Sequence, residues 1–507
     1  MKDYKILKNS YYDSVTLMST TVAIKEALNL NDLVMFMGTD MNKDMIKSVG
    51  LYHEDLDQAE PNDLMLAIDM KEIIYEWDQK VITMLSAKKT PVGQSEKVHK
   101  TMHRALNDLD ANMAVISVPG VYAANEAYKA LEKNLHVMLF SDNVTIEDEI
   151  RLKNIALEKD LLVMGPDCGT AIINGKGLCF ANQINQGPIG LVAASGTGLQ
   201  EVTVIIDTFG GGITQAIGVG GRDLSEKIGG KMMLKGIDVL DADEKTEVIV
   251  LISKPPHPSV LNLITERLKT ITKPVVLCLL DAKLDDDIKY VHFTSTLSGA
   301  AVKALELIGI KAPDLLAFDQ DVKEQIDTYK KGFKKGQNKI KGLFCGGTLT
   351  AEALSVLRDH VKDVKSNVAK IKSEKMDNPL ESHGHNLIDL GDDIFTQGKP
   401  HPMIEPSIRF ERLIKEAKLE ETAVILLDFE LGIGSHDDPV GVTIQTLKDI
   451  QKISQGNIAI VGYVCGTDKD HQDLLSSEKR LKEIGVLVAK TNAQAALIAA
   501  ELVKGVA

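Results

Sequence analysis

Short apolar runs alternate with helix-length amphipathic stretches along almost the whole chain, and no other feature limits the fold as strongly. "LVMFMG", "LMLAID", "MAVISV", "VMLF", "LLVMG", "IGLVAA", "EVIVLI", "PVVLCLL", "AVILLDF", "IAIVGYV" and "VLVAK" are such runs. Runs this short, rich in β-branched residues and separated by helices, are what parallel strands buried on both faces look like in sequence. The class is therefore α/β. The 507 residues leave room for roughly three to four domains of about 100–200 residues. Only 4 % of residues are aromatic, so Val, Ile, Leu, Ala and Met must fill the cores.

The chain repeats itself. "GLVAASGTGLQE" (190–201) matches "GLFCGGTLTAE" (342–352): a strand meets a small-residue elbow, and Gly-Thr is followed by Glu at the same distance. The pairs are Gly196-Thr197…Glu201 and Gly347-Thr348…Glu352. "TLSGAAVKAL" (296–305) likewise matches "TNAQAALIAA" (491–500), with "VIVLI" (248–252) and "VILLD" (424–428) between these ends. The pairing predicts two flavodoxin-like domains in tandem, the second enlarged around 383–406. Polar, Lys-rich 84–100 and 329–341 read as linkers, and 362–384 as a mobile connection.

A net charge of −14 disfavours nucleic acid and anionic membranes as partners. It leaves room for a local anion site, because backbone N–H groups can supply the field. Cys168, Cys179, Cys278, Cys345 and Cys465 are odd in number and contain no CxxC pair, which argues against a disulfide framework and structural zinc. The N-terminal "MKDYKILKNSYYDS" lacks the apolar centre of a signal peptide, and no apolar run nears the roughly 20 residues of a membrane helix. A reducing cytoplasm is the expected compartment.

The elbow Ser195-Gly196-Thr197-Gly198 suits a phosphate or carboxylate: small residues let backbone amides approach, and the helix behind points its positive end there. The alternative is a tight turn with a capped helix. The stretch is neither GxxxxGK[ST] nor GxGxxG with an acidic partner, so neither a P-loop nor a dinucleotide site is expected. Gly346, Gly347 and Thr348 form the like elbow of the second copy. A third glycine turn, "ELGIGSHDDPVG" (430–441), offers Gly432, Gly434 and Ser435 to an anion, with His436 as a proton-transfer group or a simple cap. Arg222 in "GVGGRDL" either pins an anion two-pronged or pairs with Asp223. His383 and His385 do not have metal-ligand spacing, and no metal is expected. Cys168 reads as a small buried residue, and Asp285–Asp287 as a solvated face.

"LLVMGPDCGTAI…GPIGLVAASGTGLQEV" resembles the alpha subunit of succinyl-CoA synthetase, with its Gly-Pro-Asn-Cys-Pro-Gly strand end and Ser-Gly-Thr elbow. "AVISVPGVYAANEAYKALEKNLHVMLFSDNV" is similar to that family's CoA-binding domain, and "KTEVIVLISKPPHPS…TKPVVLCLLD…STLSGAAVKAL" to its ligase domain. "GHNLIDLGDDI" and "AVILLDFELGIGSHDDP" resemble the beta subunit. The fused order, with "YYDSVTLMS" and "MGTDMN", resembles the FdrA family. This implies a small α/β domain at 1–100, a Rossmann-like CoA-binding-type domain at 101–186, and flavodoxin-like domains at 187–335 and 336–507. It also implies CoA as a possible ligand and separately encoded partner subunits.

Two departures bear on function. The family's phosphohistidine falls in Thr296–Ala300, where Leu297 stands in its place, and His292 lies five residues earlier. The beta subunit's ATP-grasp domain has no counterpart. What the resemblance leaves is the pair of helix N-termini that hold the phosphohistidine, expected at Ser195-Gly196-Thr197 and at the turn 432–436. Such a pair could take phosphate or an acyl phosphate such as carbamoyl phosphate. The link of FdrA-type proteins to purine (allantoin) breakdown implies an oxamate carbamoyltransferase subunit, converting oxalurate and phosphate to oxamate and carbamoyl phosphate. The elbow amides would hold phosphate, Arg222 would be the cation and His436 the proton-transfer group. The alternatives are an ADP-forming acyl-CoA ligase subunit with a separate nucleotide-binding partner, and a non-catalytic scaffold.

Overall fold

The structure, a computed structural model, describes residues 1–506 except 11, 13–16, 18–19, 22–23, 26, 88–98, 100, 283–287 and 397–399. Asp285–Asp287 and most of the stretch 84–100 therefore lie outside the described residues. The chain divides into two units, Met1–His99 with Thr396–Glu405, and Lys100–Phe395 with Pro406–Ala507.

In the first unit β1 (Lys2–Leu7), β2 (Leu30–Met37) and β3 (Leu64–Met70) make an antiparallel sheet in the order β1-β3-β2. The central strand is apolar on both faces. Leu64, Leu66 and Ile68 pack into one cluster, while Met65 and Ala67 pack into another with Ile46 and Leu56.

The second unit begins with β4 (Met113–Ile116), β5 (His136–Leu139) and β6 (Val163–Met164), a parallel sheet in simple chain order. Next come β7 (Thr170–Ile173), β8 (Lys176–Cys179), β9 (Ile189–Ala193), β10 (Ile213–Gly218), β11 (Val248–Ser253), β12 (Val275–Leu279) and β13 (Val291–Phe293). They form one sheet, β13-β12-β11-β9-β10-β7-β8. Within it β10-β9-β11-β12-β13 is the flavodoxin-like 2-1-3-4-5 order. The hairpin β7–β8 pairs antiparallel along β10, so this segment, placed with the preceding domain by the sequence reading, belongs to the larger sheet. The third sheet contains β14 (Lys339–Phe344), β15 (Lys365–Ser366), β16 (Asn386–Asp389), β17 (Thr422–Glu430), β18 (Ala459–Cys465) and β19 (Leu487–Ala489). Its order, β15-β16-β14-β17-β18-β19, repeats the flavodoxin-like pattern with β16 in the place of β10.

Three connections differ from expectation. Residues 329–341 are mostly the end of the helix Gln320–Gly332 and the start of β14. Residues 362–384 hold β15 and a 3-10 turn at Lys372–Glu374. The second copy's extra length is spread out, and its first portion precedes β16 rather than lying around 383–406.

The two flavodoxin-like halves share one core. Leu191 and Val250 from one sheet, Leu426 and Val461 from the other, and Leu199, Ala301, Leu349 and Ala496 from four helices belong to a single buried cluster. Those helices are Gly196–Thr208, Leu297–Leu307, Gly347–Arg358 and Asn492–Val503. The repeated glutamates tie the halves crosswise. Glu352 accepts hydrogen bonds from the Leu297 amide (2.6 Å) and Asn492 Nδ2 (2.8 Å), while Glu201 accepts from the Asn492 amide (3.0 Å). Each carboxylate thus serves the first turn of a helix from the other half. Burial, reinforced by the Glu352 charge, pushes Glu201 well above the usual carboxylate range, and burial pushes Glu352 up to about 7.

Glu352→Ala would strand two buried donors. Each unpaired donor costs about 1–3 kcal/mol, so the second unit should lose about 2–6 kcal/mol. Calorimetry should show its melting temperature fall by several degrees; an unchanged transition would contradict the crosswise capping.

Candidate active site

Ligands of open α/β sheets bind where the strand order reverses, outside the carboxyl ends of the strands. In the first flavodoxin-like sheet that place lies between β9 and β11, whose ends carry the Ser195 elbow and Lys254. In the second it lies between β14, which ends at the Gly346 elbow, and β17, while on the other side of β14 the strand β16 ends at Asp389.

Ser195 is extended, and its Oγ accepts from the Gly198 amide at 2.9 Å, capping the helix Gly196–Thr208. The Gly196 and Thr197 amides have no acceptor among the described residues. At the second elbow Asp428 accepts the amides of Cys345 (2.8 and 3.0 Å) and Gly346 (3.1 Å). The buried Arg409 guanidinium holds Asp428 at 2.6 Å and the Cys345 sulfur at 2.5 Å. Cys345, Asp428 and Glu430 bring a thiol and two carboxylates within 4.8 Å of one another, and Arg409 supplies the cation there. The Gly347, Thr348 and Leu349 amides are left without acceptors among the described residues.

The two elbows touch. Ser195 Oγ donates to Thr348 Oγ1 at 2.7 Å. A Cβ on Gly346 would lie 2.8 Å from the Thr197 side chain, so a larger residue would hold the elbows apart. Two positive helix ends with unsatisfied amides therefore lie side by side.

A pocket of about 390 Å³ opens beside the second elbow, lined by Lys254, Asn367, Lys370, Lys375, Asp389 and Asp392 among others. The Cβ position of Gly347 lies 2.5 Å from Asp389 Oδ2 and 3.0 Å from Lys254 Nζ. Burial pushes Asp389 up to about 7 against the opposing pull of Lys254, and burial lowers Lys254 from the usual lysine value. The ammonium groups of Lys254, Lys370 and Lys375 make no hydrogen bond or ion pair with a described residue.

Several expected site residues lie elsewhere. In the turn Gly432–His436, the Gly432 amide donates to Gln472 Oε1 (3.0 Å) and the Ile433 amide to the Ala181 carbonyl (2.8 Å). Gly434 at φ +81° packs near the Cys179 carbonyl, and Ser435 is buried. The first two amides of the turn are thus used within the fold, and the elbow that Ser195 touches is Gly346-Gly347-Thr348. His436 Nδ1 accepts from the Asp438 amide at 2.9 Å, the capping reading. Arg222 pairs with the buried Glu149 (2.9 Å) and the Val144 carbonyl (2.8 Å). Asp223 takes Lys153 instead, so the expected Arg222–Asp223 pair is not made, and the carboxylate Arg222 engages is Glu149. Leu297 is buried, and His292 lies on β13 at a sheet edge. Cys168 is buried with its thiol pushed up to about 12 by burial. His385 accepts from the Ile340 amide (3.2 Å), while His383 is exposed. Lys254 and Asp389 were missed because isolated polar residues at strand ends signify nothing until strand order brings them together.

Three family models match the chain: "CoA-ligase" over 343–502, "CoA binding domain" over 185–279, and "AllF, heavy metal-associated domain" over 1–101. The CoA-binding match falls on the first flavodoxin-like sheet rather than on 101–186. The protein YahF of Escherichia coli (strain K12) is 43% identical over 511 residues, covering 98% of both chains. A mitochondrial succinate–CoA ligase (ADP-forming) subunit alpha-2 of Trichomonas vaginalis is 26% identical, covering 47% of this chain and 81% of its own. The corresponding subunit alpha 2 of Archaeoglobus fulgidus is 25% identical, and the match spans 62% of its length. A dinucleotide-forming acetyl-coenzyme A synthetase from Ca. Korarchaeum cryptofilum aligns at TM-score 0.30 and 13% identity, over 78% of this chain and 83% of that one.

Fold and matches together define an acyl-CoA-ligase-like α/β protein with homology to the succinyl-CoA synthetase alpha subunit. The chain belongs to the family of Escherichia coli YahF. No described helix is long and apolar enough to cross a membrane. The stretch 1–101 has no cysteine, so it offers no thiolate to a soft metal ion. Nor does β4-β5-β6 form a coenzyme crevice by itself, because its order has no reversal.

Asp389 beside the second elbow predicts a pH effect. As pH falls through about 7 Asp389 becomes neutral, and an anion at the neighbouring amides should bind more tightly. Sulfate affinity, measured because sulfate keeps its charge in this range, should rise from pH 8 to pH 6, roughly two- to tenfold. Asp389→Asn should flatten the rise; an unchanged profile in that variant would exclude Asp389 as its source.

Proposed function

We propose that the chain is an acyl-transfer subunit that handles phosphate or an acyl phosphate at the paired elbows, without a phosphohistidine. The observation carrying this reading is the contact of the two helix N-termini, Ser195 Oγ to Thr348 Oγ1 at 2.7 Å, beside an unpaired Lys254. A nucleophile attacks the acyl carbon, the bond from that carbon to the phosphate oxygen breaks, and phosphate leaves with the electron pair. The amides of Gly196, Thr197, Gly347 and Thr348, with Lys254, stabilise the charge on the leaving phosphate and the oxyanion. Leu297 cannot carry phosphate, and Glu352 already takes its amide, so no phosphoryl relay runs through that position.

The matches to CoA-ligase and CoA-binding models support the CoA thiol as nucleophile, with a separately encoded subunit supplying the nucleotide site. The second reading, drawn from the FdrA-type resemblance, is carbamoyl transfer between phosphate and the oxamate nitrogen. That reaction uses phosphate and no nucleotide, which suits paired elbows in a chain where Leu297 carries no phosphoryl group. A scaffold without chemistry would have no use for unpaired amides at a closed pair of elbows.

The complex of this chain with its genomic neighbours should be assayed two ways: for thioester formation from ATP, CoA and succinate, and for phosphate release from carbamoyl phosphate and oxamate. Gly196→Val should abolish whichever activity appears, with loss of at least about 100-fold. Its Cβ meets only Thr170 Oγ1, at 3.3 Å, within 3.5 Å, so the fold should survive. Full turnover in that variant would remove the elbows from the chemistry.

A further inference from the structure

Strand β6 (Val163–Met164) runs out into Gly165-Pro166-Asp167-Cys168-Gly169-Thr170, and the end of this segment lies on the first elbow. A Cβ on Gly196 would stand 3.3 Å from Thr170 Oγ1, 3.9 Å from Gly169 Cα and 4.0 Å from the Thr170 nitrogen. Asp167 is thus two residues from backbone that touches the Ser195 elbow. On its other side, Asp167 Oδ2 lies 4.0 Å from the Cβ position of Gly221, in the turn that follows β10. The carboxyl ends of β6, β9 and β10 therefore converge around this residue, on the side of the sheets where ligands bind.

The fold fixes the Asp167 backbone and leaves its side chain unused. The Asp167 amide donates to the Ser141 carbonyl (3.0 Å), and the Cys168 amide to the Leu139 carbonyl (3.3 Å). A Cβ on Gly220 would run into the Pro166 carbonyl oxygen, so the two turns interlock. Asp167 has φ +54°, a left-handed conformation that Asp and Asn enter more readily than other side chains. Cys168 beside it is buried, whereas Asp167 is exposed and its carboxylate accepts no hydrogen bond from a described residue. Four charges face it: Asp142 after β5, Asp393 after β16, Lys254 after β11 and Arg222 after β10. The Arg222 guanidinium is already held by Glu149 and the Val144 carbonyl. Desolvation by the surrounding atoms, with Asp142 and Asp393, pushes the Asp167 carboxyl up to about 6 against the pull of Lys254 and Arg222. Such a group is charged at neutral pH and a better proton acceptor than an ordinary carboxylate. Asp389, the other carboxylate near an elbow, is buried beside the Gly347 amide.

We propose that Asp167 is the proton acceptor for the group that attacks the acyl carbon at the elbows. This rests on the proposed acyl transfer. The S–H or N–H proton of the nucleophile passes to an Asp167 carboxylate oxygen as the sulfur or nitrogen bonds to the acyl carbon. The bond from that carbon to the phosphate oxygen breaks, and phosphate leaves with the electron pair. In the reverse direction protonated Asp167 returns the proton to the departing sulfur or nitrogen. The elbow amides can only donate hydrogen bonds, so they stabilise the charge and cannot take this proton.

Asp167→Asn tests this in the complex of the chain with its genomic neighbours, by the thioester and phosphate-release assays. Asn tolerates the same left-handed backbone, so the turn should survive. Turnover at neutral pH should fall at least about 100-fold, while calorimetry on the full chain finds inorganic phosphate bound no more weakly than before. At saturating substrate, wild-type kcat should drop as pH falls below about 6, where Asp167 takes up a proton, and the residual rate of the variant should be flat there. Variant turnover close to wild type overturns the inference and leaves the elbow reading standing, as does an acid limb that persists unchanged in the variant. Loss of phosphate binding along with turnover would make Asp167 a structural part of the elbow and overturns it as well. Turnover that depends on Asp167 in a chain that binds no phosphate would uphold the proton acceptor and sink the elbow reading. No turnover in the wild-type complex overturns both.

Discussion

Glu201 and Glu352 each cross the shared core to serve the first turn of a helix belonging to the other half. A buried carboxylate is costly unless its oxygens are satisfied, and amides at a helix start satisfy them well. The exchange sets the two elbow helices side by side, because each glutamate lies in the second turn behind its own elbow. With the helices held there, Ser195 reaches Thr348 and Thr197 lies on Gly346. Orphan amides of both helices are left at one place, with Lys254 and Asp389 next to them.

The α/β class, the two flavodoxin-like sheets and the repeat were legible in the sequence because each rests on local pattern. Apolar runs and small-residue elbows look the same wherever they are. The glutamates were visible as part of the repeat, at equal distance from Gly-Thr, although their crosswise capping was not. Pairing of elbows was not legible. Glycine turns at 346–348 and at 432–436 look equally suited to an anion, and only the fold shows Gln472 and Ala181 taking the Gly432 and Ile433 amides and Ser195 reaching Thr348. The sequence left His436 as a proton-transfer group or a cap and Arg222 as an anion clamp or a partner of Asp223; the fold shows the cap for His436 and Glu149 as the partner of Arg222. Half of a doubly wound sheet also reads like a whole one when its strands are counted without their order.

A leucine where the resemblance expects the phosphohistidine and a lysine at the end of β11 fit one chemical reading. A phosphohistidine needs a charge-matched pocket for a covalently held phosphoryl group. Here Leu297 is packed in the core, its amide held by Glu352, and the positive charge comes from a side chain at the end of β11. Lys254 lies beside Gly347 and Asp389 with no hydrogen bond from its ammonium to a described residue, which leaves its N–H groups to an anion at the elbow. Behind the second elbow, Asp428 and Arg409 hold the Cys345 and Gly346 amides and leave the next three for a ligand.

Crystals of the full chain soaked in phosphate test the central claim most directly. The account predicts one phosphate within hydrogen-bond reach of an amide from each elbow, Gly196 or Thr197 on one side and Gly347 or Thr348 on the other, with Lys254 Nζ turned toward it. Phosphate bound elsewhere on the chain with both elbows empty would contradict it.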